Sequence, residues 1–243
     1  GAHIRFERDG KRIDAEVLAM HFDGRRTIRL STTSGTVTDA IERVGHVPLP
    51  PYVKREDVAD DQERYQTVYA RDRGSIAAPT AGLHFTSAKV EGLKALGVEW
   101  AELTLHVGYG TFKPVKVSRV EDHVVEPERY EVSEVTAEAL TRARRDSRRI
   151  VAVGTTTVRT LESLTVEPGG RVRPGSGETQ VFIYPGHRFQ LVDGLVTNFH
   201  LPRSSLLMLV AALGGRERVL SAYREAVAEG YRFYSYGDAM LLV

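Results

Sequence analysis

Cysteine is absent from the 243-residue chain. Its absence excludes disulfide bonds, zinc sites built on Cys, iron–sulfur clusters and thiol nucleophiles, since all of these require a Cys sulfur. A chain without cysteine suits the reducing cytoplasm, and we expect a cytoplasmic protein. The length corresponds to one large domain or two smaller ones, and it is sufficient for a substantial hydrophobic core.

The chain also lacks long apolar runs and an excess of charge of either sign. Its longest apolar run, residues 206–213, falls far short of the roughly 20 residues that span a bilayer, and no signal peptide is visible. No membrane partner is therefore expected. The chain has 33 Lys and Arg against 32 Asp and Glu, so its net charge of +1 neither requires nor excludes a nucleic-acid partner.

Short strands separated by turns are predicted for the first 31 residues. Asp-Gly pairs at positions 9–10 and 23–24 interrupt alternating apolar runs, and such pairs favour hairpin turns. A short helix is predicted over Val37–Val44, and Pro48, Pro50 and Pro51 then impose an extended connection. We therefore expect part of a small antiparallel β-domain over residues 1–45 and a second domain over residues 46–243.

Strands and helices alternate from residue 74 onward. About six strands are predicted, which is fewer than the eight of a complete barrel. They cover residues 75–78, 98–107, 150–153, 179–184, 195–199 and 232–236. Alternation of this kind predicts an α/β fold with mostly parallel strands joined by crossover helices, either open or closed as a distorted or incomplete barrel.

Polar side chains follow the ends of several of these strands. They are Thr80, His84, His106, Thr155, Thr156, Asn198, His200 and Asp238. Because the carboxyl ends of parallel strands meet at one edge of a sheet, these groups are expected to surround one site. Histidine titrates near neutrality, so the three histidines are candidate general acids or bases, although a core histidine remains an alternative for His84.

Two charged segments were weighed for metal or nucleic-acid binding. His123 and Glu126 have the spacing of half a metal site, but no second ligand pair accompanies them, so no metal is predicted. Residues 142–149 hold five arginines, which are typical of a solvated helix end and are also candidates for contact with RNA phosphates.

An ordered series of long motifs spans residues 45–243. The series reads GHVPLPPY, DQERYQTVYA, GSIAAPTAGLHF, LTLHVGYGTFKPV, VAVGTTTVRTLES, ETQVFIYPGHRF, TNFHLPRSSLLMLV and YRFYSYGDAMLL. In these motifs the chain resembles the S-adenosylmethionine:tRNA ribosyltransferase-isomerases of queuosine biosynthesis. The resemblance implies a distorted α/β barrel with a small β-barrel-like domain. It departs from the family where Glu126 replaces a histidine, and the family's N-terminal Asn-Asp-Thr-Arg motif has no counterpart here.

The resemblance implies a reaction on tRNA. The ribosyl part of S-adenosylmethionine would be transferred and isomerised onto the aminomethyl group of a 7-deazaguanine base in the anticodon loop. Epoxyqueuosine-tRNA would form, with release of adenine and methionine. S-adenosylmethionine is then a substrate, no metal or other cofactor is implied, and a monomer is expected.

This chemistry suggests a role for each candidate residue. His84, His106 and His200 would serve as acid or base, and Asp238 would anchor the substrate amine or balance positive charge. Tyr234 and Tyr236 would face the sulfonium or stack on the base. Thr155, Thr156 and Arg159 would bind a carboxylate or phosphate. The other expected substrate contacts are Thr80, Gly82, Phe85, Gly108, Gly110, Thr111, Gly154 and Asn198.

Two other functions stay open on the sequence. One is a metal-free barrel hydrolase or lyase acting on a small sugar-like substrate, which would turn over without tRNA. The other is a truncated, non-catalytic RNA-binding module, which would bind tRNA without releasing adenine.

Overall fold

The computed structural model describes residues 1–21, 24–50, 52–108, 115 and 117–243, and these residues form two compact units. The first unit consists of Gly1–Pro48 with Arg55–Asp57. The second consists of Leu49–Lys54 with Val58–Val243, and it contains the candidate site described below.

The first unit is a three-stranded antiparallel sheet with one helix. Its strands are β1 (His3–Arg8), β2 (Lys11–Met20) and β3 (Arg26–Thr32), in the order β1-β2-β3, and its helix is α1 (Val37–Val44). The predicted strands and the predicted helix are confirmed. Asp9 and Gly10 join β1 to β2 with φ values of 49° and 71°, the two positive values that a tight hairpin turn requires.

One face of this sheet packs against α1. Ile13 of β2 is buried with Ala40 and Val44 of the helix, and Leu30 of β3 packs beside them. Thr36 fixes the start of the helix because its side chain accepts a hydrogen bond from the N–H of Asp39. The apolar residues of the helix and those on one face of the strands thus form one small core.

The second unit contains the remaining helices and strands. Its helices are α2 (Ala59–Arg64), α3 (Ser87–Ala95), α4 (Glu134–Arg145), α5 (Thr155–Leu161), α6 (Ser205–Gly214) and α7 (Arg216–Ala228), with 3₁₀ turns at Thr80–His84 and Val120–Asp122. Its strands are β4 (Thr104–His106), β5 (Glu128–Val132), β6 (Val151–Val153), β7 (Gly175–Thr179), β8 (Gly194–Asn198) and β9 (Ala239–Leu242). None of the helices within the described ranges has both the length and the apolar character of a membrane span.

These strands form two separate three-stranded sheets, which confirms the α/β class but not the expected pairing. The order is β4-β5-β7 in one sheet and β6-β8-β9 in the other. Of the described strand pairs, β6 with β8 is parallel, whereas every other pair is antiparallel. The described strands therefore do not confirm the prediction of mostly parallel strands, and they do not close into a barrel. Alternation of strands and helices indicates elements but not which strands become neighbours.

Three predicted strands are misplaced. Residues 75–78 are not a strand, although the N–H groups of Ile76 and Ala77 both donate to the carbonyl of Val107. The strand expected at 179–184 is instead β7, which ends where the predicted one began. The strand expected at 232–236 is a turn in which Tyr234 has φ 73°, a value incompatible with a strand, and β9 follows it.

The sequence of β7 contains two glycines, which are unusual within a strand. Gly177 lies opposite Tyr130 of β5, and a Cβ at Gly177 would lie 2.9 Å from the Tyr130 hydroxyl. A side chain there would collide with the ring, so the strand needs the glycine that normally argues against a strand.

The main core of the second unit lies between the β6-β8-β9 sheet and its helices. Leu195 of β8 is completely buried, as are Val158 of α5 and Val210 of α6. These residues belong to one cluster that also includes buried residues of α4 and α7. This packing fixes the ends of β6 and β8, where the candidate site begins.

Candidate functional site

A cavity of about 330 Å³ opens in the second unit. Its volume falls within the range of small-molecule sites, and its walls are largely apolar, as such sites usually are. Its polar lining residues are Tyr52, Thr80, Thr155, Thr156, Thr157, Thr197, Asn198, His200, Ser204, Tyr234 and Ser235. Five of the predicted substrate contacts and one predicted histidine are in this group, together with the backbone of Gly154.

The carboxyl ends of the parallel pair β6 and β8 form one wall of this cavity. Strand β6 leads into Gly154, whose φ of 93° turns the chain into α5, and whose N–H donates to Val196 O at 2.9 Å. Strand β8 ends at Asn198, just before His200. The expected meeting of polar residues at one sheet edge holds for this pair.

Asn198 connects two further predicted residues. Its side chain is 2% exposed, its Oδ1 accepts from Thr80 Oγ1 at 3.3 Å, and its Nδ2 lies 3.0 Å from His84 Nε2. Nδ2 also donates to the carbonyl of Tyr234 at 3.1 Å. The 3₁₀ turn Thr80–His84 presents both of its polar residues to the end of β8.

His84 is shifted toward its neutral form. Burial is the main cause that lowers its pKa, and the positive charge of Lys89 lowers it further, whereas the negative charge of Asp238 acts in the opposite direction. Lys89 Nζ donates to the carbonyl of His84 at 3.1 Å, which holds this cation close to the imidazole. Asp238 is thus near His84, although neither residue lines the cavity. The Asp238 carboxylate accepts a hydrogen bond from the backbone N–H of Arg232 at 2.7 Å.

His200 lines the cavity as a neutral group. Its Nε2 is 2.8 Å from Thr197 Oγ1, and its backbone N–H donates to the hydroxyl of Tyr223 at 2.8 Å. Burial lowers the pKa of His200 to about 4. The imidazole is therefore uncharged at neutral pH and can accept a proton.

The pKa of His200 predicts acid-dependent stability. In the unfolded chain His200 binds a proton near pH 6.5, whereas in the folded chain it does so only near pH 4. The folded state is therefore progressively disfavoured as the pH falls between these values. Between pH 7 and pH 5 we expect this group to reduce the free energy of unfolding by about 2 kcal/mol. Urea titrations at both pH values should show that reduction in the wild type and a correspondingly smaller one in His200→Gln. Equal pH dependence in the two proteins would contradict the prediction.

Two tyrosines stack at the cavity. The rings of Tyr52 and Tyr234 have centroids 4.7 Å apart, and the Tyr52 hydroxyl accepts from the N–H of Ser235 at 2.7 Å. Tyr52 was missed in the sequence because it lies in the proline-rich segment, which was interpreted as a connection only. The sequence analysis also missed four hydroxyl side chains of the lining: Thr157, Thr197, Ser204 and Ser235. All but Ser204 adjoin a predicted site residue in the sequence, and that position could have indicated them.

His106 lies on the opposite side of its strand from the cavity. Its neighbours Leu105 and Val107 line the cavity, and successive side chains of a strand point to opposite faces. Gly74 packs over the imidazole, since a Cβ there would lie 2.7 Å from His106 Nδ1. His106 was expected to surround one site with the other polar groups, but the structure builds this wall from the apolar side chains on either side of it.

Arg159 is used within the protein core. Its guanidinium is buried, with Nη1 2.7 Å from Glu128 Oε2, and it also donates to the carbonyls of Val181 and Glu126. Burial lowers its pKa, and Glu128 partly restores it. Arg159 joins α5 to β5 and does not line the cavity, so we do not retain it as a substrate contact.

Several other predicted contacts have protein partners away from the cavity. Phe85 packs on Trp100 with centroids 5.3 Å apart. Gly82 approaches the Tyr69 ring so closely that a Cβ would lie 2.1 Å from its hydroxyl. Gly108 is half-buried outside the lining.

Tyr236 also lies outside the lining, and two predicted contacts fall beyond what the structure describes. The Tyr236 hydroxyl donates to Asp61 Oδ1 at 3.2 Å, within a small polar contact of its own. Gly110 and Thr111 lie outside the described residues. Within the described ranges, no group of three or more His, Asp or Glu side chains is arranged to bind a metal ion.

The arginines of residues 142–149 are mostly paired within the chain. Arg142 and Arg148 both bind Glu99, at 2.6 and 2.9 Å, and Arg145 binds Asp146 at 2.8 Å. Arg144 donates to the carbonyl of Gln190. These pairs favour the interpretation of the segment as a solvated helix end rather than an RNA contact.

Comparison with known proteins gives one consistent result. The family model described as "Queuosine biosynthesis protein" matches residues 1–242. The S-adenosylmethionine:tRNA ribosyltransferase-isomerase of Heliobacterium modesticaldum is 51% identical over 232 residues, which are 96% of this chain and 67% of that protein. The protein of the same name from Sorangium cellulosum is 54% identical over 245 residues, covering 100% of this chain and 65% of its own length.

A solved structure is similar over most of the chain. The crystal structure of S-adenosylmethionine tRNA ribosyltransferase from Thermotoga maritima matches with a TM-score of 0.55 and 39% identity, covering 95% of this chain and 62% of that one. The curated relatives are longer proteins, of which this chain spans between 59% and 70%.

Proposed function

Because the chain belongs to the queuosine biosynthesis protein family, we propose that it transfers and isomerises the ribosyl part of S-adenosylmethionine onto 7-aminomethyl-7-deazaguanine in tRNA. Epoxyqueuosine-tRNA is the product, and adenine and methionine are released. S-adenosylmethionine acts as a substrate, and no other cofactor takes part.

One observation carries this proposal. Thr80, Thr155, Asn198, His200 and Tyr234 come from four different family-like motifs, and all of them line a single cavity. Such convergence is what a binding site for a nucleoside requires, and it is not required for packing a core. A hydrolase or lyase acting on a small sugar would need a site of the same kind. Only an experiment that compares turnover with and without tRNA distinguishes it from the proposed transferase.

The cavity supplies groups suited to each stage of the reaction. The ribosyl transfer requires removal of a proton from the carbon beside the sulfonium, and His200 is the histidine that lines the cavity, where such a base has to lie. The stacked rings of Tyr52 and Tyr234 offer an aromatic surface to the sulfonium or to a base. Thr155 and Thr156 offer hydroxyl groups to a polar part of the substrate. Asp238 does not line the cavity, but its negative charge acts on His84, the neighbour of Asn198.

The tRNA partner requires access to a base inside a folded loop. We propose that the anticodon loop presents the 7-deazaguanine everted, because a base that reacts must leave its stack. The proposal includes a cytoplasmic monomer and the barrel-like architecture that the resemblance implies for the family.

Adenine release measured with and without tRNA tests the proposal. The protein is incubated with S-adenosylmethionine and with tRNA that carries 7-aminomethyl-7-deazaguanine, and adenine is followed by chromatography. The matched control is the same tRNA with guanine at that position. We expect adenine, and transfer of labelled ribosyl carbon to tRNA, only with the modified tRNA. Turnover of a sugar-like substrate without tRNA would favour the hydrolase or lyase, and tRNA binding without adenine would favour the RNA-binding module.

A further inference from the structure

The carbonyl of Tyr234 fixes the orientation of the Asn198 side chain. A carbonyl oxygen only accepts hydrogen bonds, so the group that lies 3.1 Å from it must be the amide nitrogen of Asn198. The amide oxygen then faces Thr80 Oγ1, which donates to it at 3.3 Å. Both ends of the amide are thus assigned by their partners.

The assigned amide determines where His84 carries its proton. The same Asn198 nitrogen lies 3.0 Å from His84 Nε2, and an amide nitrogen donates but does not accept. Nε2 must therefore present a lone pair, which places the single proton of the neutral imidazole on Nδ1. Asn198 is 2% exposed, so water does not compete for these contacts.

The Tyr234 carbonyl is itself held in place. Its residue has φ 73°, its N–H donates to Phe199 O at 2.9 Å, and its carbonyl also accepts from Gly237 N–H at 3.0 Å. Gly237 packs so tightly that a Cβ would lie 2.4 Å from the carbonyl of Arg232. The turn around Tyr234 therefore provides a fixed acceptor for the amide.

We propose that Asn198 is a positioning residue that holds His84 as the neutral tautomer with its proton on Nδ1, and that His84 acts as a hydrogen-bond donor rather than a base. Protonating Nε2 would require the amide to turn over, and its oxygen would then oppose the Tyr234 carbonyl. This assignment deepens the proposed function and depends on it for the donor role. It leaves His200 as the neutral imidazole available for proton removal.

Two charges near His84 act on the equilibrium between its charged and neutral imidazole. Lys89 of α3 disfavours the charged imidazole, as burial does, whereas Asp238 favours it. Because Asp238 is also bound by Arg232 N–H, its carboxylate does not replace Asn198 as the partner of Nε2. The amide contact therefore decides which nitrogen carries the proton.

Nuclear magnetic resonance tests the tautomer without either substrate. The protein is labelled with ¹⁵N-histidine, His84→Gln assigns the signal, and long-range ¹H–¹⁵N spectra are recorded from pH 5 to 8. We expect the Nδ1–H tautomer in the wild type. In Asn198→Asp the carboxylate only accepts, so we expect the proton on Nε2 and an apparent His84 pKa above that of the wild type. Thr197→Val is the matched control, because it should move the signals of His200 but not those of His84.

Two results would overturn the assignment. One is an Nε2–H or a charged His84 in the wild type at pH 7, which needs no variant to be observed. The other is an unchanged tautomer in folded Asn198→Asp. If that variant does not fold, the wild-type spectrum decides alone.

Activity gives a separate readout of the donor role. In Asn198→Asp we expect the rate of adenine release to fall by about 10²-fold, because the reacting groups lose their geometry. We also expect the pH profile of that rate to move to higher pH, because the new carboxylate raises the pKa of His84. If the wild type shows the Nδ1–H tautomer but never releases adenine with modified tRNA, the positioning of His84 stands and the proposed function fails.

Discussion

Replacing Arg159 by methionine is expected to lower the free energy of unfolding by about 3–5 kcal/mol. Arg159 is 6% exposed, and its Nη1 lies 2.7 Å from a carboxylate oxygen of Glu128, a residue that is 3% exposed. The substitution removes this cation from beside a buried carboxylate, and it removes the donors to the carbonyls of Val181 and Glu126. Both losses leave polar groups buried with fewer partners, which is among the most destabilising changes known.

An exposed ion pair next to Glu128 on β5 provides the control for this prediction. Arg129 of β5 lies 3.1 Å from Glu178 of β7, and both side chains are largely in water. We expect Arg129→Met to change stability by no more than about 1 kcal/mol. Combining Arg159→Met with Glu128→Leu should recover much of the loss, since two apolar side chains leave no buried charge. Urea titrations measure all three proteins, and a loss for Arg159→Met no larger than that of the control would contradict the buried-pair argument.

Substituting the histidines one at a time should separate those at the cavity from the one behind its wall. We expect His200→Ala and His84→Ala each to reduce the rate of adenine release by about 10²-fold or more, because one lines the cavity and the other contacts Asn198. His106→Ala is expected to retain activity within about tenfold, since its side chain lies on the other face of β4.

The comparison depends on variants that are folded. Circular dichroism and urea titration establish this for each protein before the rate of adenine release is measured at saturating S-adenosylmethionine and modified tRNA. The placement of the acid–base groups would be wrong if His106→Ala lost the most activity, or if His84→Ala and His200→Ala both worked at the wild-type rate.

The parts of the structure fixed by local chemistry could be predicted from the sequence. Asp9-Gly10 specifies a hairpin turn, and the apolar spacing of Val37–Val44 specifies a helix, so the strands and the helix of the first unit could be predicted. At the site, Asn198 and His200 were recognised because they directly follow an apolar run, and that run is a strand whose carboxyl end does line the cavity.

What the sequence did not predict depends on contacts between distant residues. The pairing of Tyr130 with Gly177 makes a strand from a glycine-rich segment, and no local pattern reveals this. Arg159 looked like an anion-binding residue because it follows a glycine and three threonines, yet its partner Glu128 lies in β5, a strand that was not predicted. Nothing in the pattern of residues 98–107 indicates that the side of Leu105 and Val107, rather than the side of His106, lines the cavity.

The left-handed backbone of Tyr234 sets a limit on how far this protein can be made more robust. A residue other than glycine holds such a conformation at a cost of about 1–3 kcal/mol, and here a tyrosine does so beside Tyr52. Glycine at this position would relax the chain, but it would delete one of the two stacked rings. The side chain that we propose to contact the substrate is therefore the one whose backbone carries this cost, so a stabilising glycine here would be gained at the expense of the cavity wall.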